Sequence, residues 1–170
     1  MILCEPPRPM EPTPRPTDYD QDIIKEGVRA SLGIIKDYLR DEYIEDQEIK
    51  IFQDLLQHER DGYILARQLE SAGWFEDREL VSLCDDIVDN VYKAARLAVK
   101  EWLAAFKIEP KYEEGQLVSV VRNKKTYVGS IEGIDRERGT YTVRVKSEGH
   151  GRHCGWVIAW ELPTAEPDIS

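Results

Sequence analysis

The chain has 170 residues, 41% of them hydrophobic, with 33 acidic against 23 basic side chains and a formal net charge of −10. That length holds one ordinary domain or two small ones, and the apolar share suffices for a core. No wholly apolar run approaches a membrane span, and Cys4, Cys84 and Cys154 are too few and too scattered for a disulfide framework.

The N-terminus has no basic-then-apolar secretory pattern, so a reducing, cytoplasmic location is expected. The charge is unevenly placed. Residues 17–106 carry 11 Lys and Arg against 21 Asp and Glu, whereas residues 107–162 carry 10 against 8. A surface with that excess repels free nucleic acid and attracts basic partners.

Residues 1–16 contain six prolines, which favour extended backbone and predict a disordered leader. Thr17 and Asp20 form a capping signal, and Ile24, Val28, Leu32, Ile35 and Leu39 then mark one amphipathic helix ending near Arg40. Asp41, Glu42, Glu45, Asp46 and Glu48 cluster around Tyr43 and Ile44, as a charged connection or a helical continuation. Ile49, Phe52, Leu55 and Leu56 give a further apolar face. Asp61-Gly62 is a stop, Tyr63–Ala72 a short helix, and Gly73 its C-terminal cap. Trp74 and Phe75 are expected to plug the end of the bundle.

The longest element is predicted over Asp77–Phe106. Leu80, Cys84, Ile87, Val91, Ala95, Ala98, Trp102 and Ala105 recur in steps of three and four, without Gly or Pro. Ala94, Ala95 and Ala98 offer a place for a partner helix to approach closely. Such a helix would be on the order of 45 Å long.

After Pro110 the pattern becomes strand-like: Leu117–Arg122, Thr126–Ile134, Thr140–Val145 and Trp156–Trp160, separated by polar turns. Gly129 and Gly133 allow bending in the second strand. The spacing predicts a small curled barrel that leans on the long helix for its core. The fold class is therefore α+β: an acidic bundle of about four helices, one long, followed by a small β-barrel. The predicted organisation is a leader (1–16), an acidic helical domain (17–108), a barrel (109–163) and a tail (164–170).

Gly115 before Leu117-Val118-Ser119-Val120, then Tyr127-Val128-Gly129-Ser130-Ile131, Gly139-Thr140-Tyr141-Thr142-Val143 and the closing Trp160-Glu161-Leu162-Pro163 resemble an SH3-like barrel of the Tudor kind. The resemblance covers residues 111–163. It implies a module that binds methylated tails, proline-rich peptides, nucleic acids or another domain.

Candidate chemistry follows from these placements. Tyr112, Tyr127, Tyr141, Trp156 and Trp160 could cage a cationic group, competing with a packing role. Lys124 and Lys125 at one hairpin, with Tyr127, could follow a phosphate backbone, so nucleic acid is expected only through the barrel. His150, His153 and Cys154 lack a fourth ligand, and no metal or cofactor is expected. His58, Glu59 and Asp61 could do acid–base work, but no nucleophile, phosphate-loop or dinucleotide motif accompanies them, so catalysis is not expected.

The leading expectation is a non-catalytic interaction protein. Asp41, Glu42, Tyr43, Glu45 and Asp46 would meet a basic protein surface, in the manner of a nucleic-acid mimic such as the anti-CRISPR inhibitors of phages and mobile elements. One alternative is a Tudor-like reader or nucleic-acid adaptor acting through Tyr127, Tyr141, Trp156, Lys124 and Lys125. Another is a structural homodimer built on the long helix.

Overall fold

One helix, α5 (Arg78–Ala105), runs through both halves of the protein. The computed structural model describes residues 13–40, 46–74, 78–122, 124–146 and 153–160. Before α5 come α1 (Gln21–Ala30), α2 (Leu32–Leu39), α3 (Asp46–Leu56) and α4 (Gly62–Ser71). After it come β1 (Leu117–Arg122), β2 (Lys125–Asp135), β3 (Thr140–Lys146) and β4 (His153–Ala159). No described helix is long and apolar enough to cross a membrane.

The first core forms around the N-terminal two-thirds of α5. Leu80, Cys84, Ile87 and Val91 are fully buried there against Ile24 and Val28 of α1, Phe52 and Leu56 of α3, and Leu65 and Leu69 of α4. Each such side chain contributes about 1.5–3 kcal/mol of burial. A close helix approach comes from Gly27 on α1, which the sequence pattern did not single out. A Cβ there would lie 2.6 Å from Val91 Cα and 2.8 Å from its backbone nitrogen.

The single helix expected before Arg40 is two. The break falls at Ser31, whose side chain is fully buried. Its hydroxyl donates to the Gly27 carbonyl (2.9 Å) and accepts from Asn90 Nδ2 of α5 (3.0 Å). A serine bonded back to the preceding turn bends a helix, and here it also ties the bend to α5.

Helix α4 lies within one residue of its expected bounds, and Asp61, expected only as part of a stop and turn, is its cap. Asp61 Oδ1 accepts from Ile64 N (3.1 Å), capping the N-terminus. Gly73, at φ +98°, closes the C-terminus with Trp74 N donating to Leu69 O at 3.1 Å. Trp74 then stacks on Tyr38 and meets Phe52 edge-on, with ring centroids 6.1 and 5.4 Å apart. It plugs that end of the bundle as anticipated. Phe75 and Asp77 lie outside the described residues.

The strands form one antiparallel sheet in the order β1-β2-β3-β4. Val118, Val120, Ile131, Tyr141, Val143, Val145 and Ile158 line its inner face, as their register requires. Register slips once, at a bulge between Ile131 and Gly133. The expected closed barrel is instead an open sheet with β1 and β4 at its edges. The reason lies in the second core: Val99, Trp102 and Leu103 of α5 cover the inner face, so the sheet need not close on itself. Gly139, at φ +58° in the β2–β3 turn, seats the turn on α5, because a Cβ there would lie 2.6 Å from Leu103 Cδ1.

Residues 13–20 act as a strap across the joint between the cores. Thr13 O accepts from Trp102 Nε1 (2.9 Å), and Arg15 donates to the carbonyls of Gly139 (3.2 Å) and Arg138. Farther along, Asp18 Oδ2 lies 3.3 Å from Arg60 Nε, and the Arg60 guanidinium sits 4.6 Å from the Tyr19 ring centroid. The last residues of the proline-rich leader, 13–16, are thus bound to the fold. Residues 1–12 lie outside the described residues.

Candidate functional site

α2 and the first turns of α5 lie side by side and leave a groove. Ile35 of α2 and Leu80, Ile87 of α5 point into the core and fix the two helices. The next residues around each helix then face the shared seam. Ile34 and Tyr38 from α2 and Leu83 from α5 make an apolar floor. Asp37, Glu79 and Asp86 stand at its rim, around a volume of about 330 Å³. Glu79, Leu83 and Asp86 share a face of α5 because they are spaced by four and three. Stacking of Tyr38 on Trp74 holds the floor in place.

None of these carboxylates is in an ion pair among the described residues. Some other acids are matched locally, Asp22 by Lys25, Glu26 by Arg29 and Glu70 by Arg67, while exposed Asp54, Asp85 and Glu101 are also without an ion pair among the described residues. Three unmatched carboxylates over an apolar floor suit a ligand that is basic at its edges and apolar in its middle.

The acidic contact anticipated from the sequence adjoins this groove in the chain. Asp37 precedes Asp41 by four residues, and α2 ends at Arg40 in a left-handed cap with φ +54°. Asp41, Glu42, Tyr43 and Glu45 lie outside the described residues. Asp46 is exposed and opens α3, where the helix dipole favours an anion. Spacing on two separate helices brought Asp37, Glu79 and Asp86 together, so no local motif marked them.

The proposed aromatic cage is divided. Tyr141 is only 1% exposed, and its hydroxyl accepts from Lys111 N (2.6 Å) and Tyr112 N (3.2 Å). It is a core residue of a central strand and does not reach a surface. Trp160, 5% exposed, packs beside it with centroids 6.0 Å apart. Tyr127 and Trp156 form a separate, half-buried pair, edge to face at 4.8 Å, with Lys124 and Lys125 exposed at the neighbouring hairpin. Lys124 is held at φ +62°.

Two of the acid–base candidates, Glu59 and Asp61, have structural work. Glu59 Oε1 accepts from the backbone nitrogens of Arg60 (2.8 Å) and Asp61 (2.9 Å), while Asp61 caps α4. Among the described residues no group of three His, Cys, Asp or Glu side chains is placed to hold a metal. His150 lies outside the described residues, as do the side chains of His153 and Cys154.

No family model, curated protein or solved structure matches this chain.

Proposed function

We propose that this is a non-catalytic interaction protein whose acidic helical part grips a basic segment of a protein partner. The observation that supports it is the α2–α5 groove, with unmatched Asp37, Glu79 and Asp86 around Ile34, Tyr38 and Leu83. Asp46 and the acidic residues 41–45 extend the same negative character along the chain. A basic amphipathic helix would satisfy both floor and rim, laying its apolar residues inward and its Lys or Arg outward. In its sharper form the carboxylates stand in for phosphates, and the protein inhibits a nucleic-acid-handling complex by filling its cationic groove.

The test is capture of the partner from the native host, followed by binding measurements on groove variants. Asp37→Asn with Asp86→Asn should weaken binding by about ten- to a hundred-fold, since charge pairs at an interface couple by a few kcal/mol. Tyr38→Ala should weaken it further. Binding that is unchanged in all of these would rule the groove out.

A second reading takes the sheet as an SH3-like module of the Tudor kind, reading a modified tail or nucleic acid. The half-buried Tyr127–Trp156 pair beside Lys124 and Lys125 favours it. Titration of the full chain with oligonucleotides and methylated peptides separates the readings. Saturable binding abolished by Trp156→Ala supports the second.

A further inference from the structure

The joint between the two cores carries the opposite charge from the groove. A cleft of about 630 Å³ opens there between the strap, the middle of α5 and the β2–β3 turn. Arg15, Arg96 and Arg138 converge on it, one from each element. Arg15 is committed to the turn carbonyls and fixes the wall. Arg96 is half-buried and uses only its Nε, which donates to Tyr92 O at 3.3 Å. Its terminal nitrogens have no carboxylate partner among the described residues. Arg138 is held loosely, with Nε 3.7 Å from Asp135.

Two carboxylates also line the cleft. Asp18 is matched by Arg60, which comes from outside the lining. Asp89 is exposed and is the opposing charge that remains. Ala95 and Val99 form an apolar wall. Tyr92 adds a neutral hydroxyl, whose phenol partial burial and then the Asp18 carboxylate push further above its usual value.

We propose that this cleft binds an anionic small molecule, its carboxylate or phosphate held by Arg96 and Arg138 and its apolar part laid on Ala95 and Val99. A guanidinium presents paired N–H donors that match either oxyanion. The volume suits a small ligand, and junctions between cores are common places for such sites. The site is independent of the acidic groove, which lies on the far part of α5.

The test uses the full chain with phenyl phosphate and benzoate as probes, and benzyl alcohol as the uncharged control. Titration calorimetry should show saturable binding of at least one anion, with a matching rise in Tm. The anion that binds identifies the headgroup. Arg96→Gln should weaken binding by about ten-fold, as expected for one charge-assisted contact. Lys93→Gln, exposed on α5 outside the lining, should leave it unchanged. Arg138→Gln, on an exposed turn, provides a second variant that does not threaten folding. The proposal is overturned if neither anion saturates, if benzyl alcohol binds as well as the anions, or if affinity survives both Arg variants.

Discussion

Gly27 and Cys84 show how strictly the first core is specified at the level of single residues. The absent Cβ of Gly27 is what lets α1 rest on Val91: it would strike Val91 Cγ2 and two Val91 backbone atoms that cannot swing aside. Gly27→Ala must therefore push the helices apart. Despite the better helix propensity of alanine, the variant should lose about 1–3 kcal/mol in urea unfolding. Cys84 is fully buried, and burial, followed by the Asp85 carboxylate, pushes its thiol from 9.0 up to about 12. Above pH 9.0 the unfolded chain releases this proton while the folded chain keeps it. The unfolded state then binds fewer protons, so stability falls as pH rises from 9.0 toward 12. Cys84→Ala should show a shallower decline over that window. A thiol reagent at neutral pH should label native Cys84 only on the timescale of unfolding.

At the scale of elements, the strap and α5 act together. Arg15 bonds to two carbonyls of the β2–β3 turn, while Trp102 holds the chain two residues earlier at Thr13. Arg15→Ala should cost about 1–3 kcal/mol, the range for charge-assisted bonds to carbonyls. It should also raise amide exchange in residues 13–17 and 136–140 before the rest of the sheet responds. Helix α5 itself is legible from sequence to within one residue at its C-terminal end, because its apolar stripe is long and nothing interrupts it, while its expected start at Asp77 lies outside the described residues. Alternation and turn residues give β1 its observed bounds and β2 and β3 theirs to within a residue at each end, but start β4 at Trp156, three residues after His153. The break at Ser31 was not legible: it depends on a hydrogen bond from Asn90, 59 positions away. The open sheet was missed for a related reason. Alternation reports which strand face is buried, and carries no information on whether a helix or another strand buries it. The strap was hidden by its prolines, whose composition predicts disorder whether or not a tryptophan waits to bind a carbonyl. Of the candidate groove only an acid excess in the helical part is legible in the sequence, because its geometry comes from Asp37 meeting Glu79 and Asp86 across two helices.

For the molecule as a whole, charge is sorted along one axis. Glu79, Asp85, Asp86 and Asp89 outnumber Arg78 in the N-terminal half of α5, whereas Lys93, Arg96 and Lys100 outnumber Glu101 in the rest. Only Glu79 lies in a terminal turn with the sign the helix dipole favours, and the last turn holds no basic side chain, so the dipole adds little to this order. The order divides the surface into a negative bundle and a more positive joint. A partner held by the negative end should bind less tightly as salt rises, with the loss appearing mainly in the association rate. Affinity that stays level from low to high salt would end the phosphate-mimic form of the proposed function.

Because α5 belongs to both cores, it also works as a ruler. Its 28 residues span about 42 Å at the rise of an α-helix. Asp86 and Arg96 are ten residues apart on that unbroken rod, a separation of about 15 Å along the axis. Inserting two residues between them would lengthen the gap by only about 3 Å while rotating one end by about 200° relative to the other. Any molecule that reads both ends must therefore match a fixed phase as well as a fixed distance.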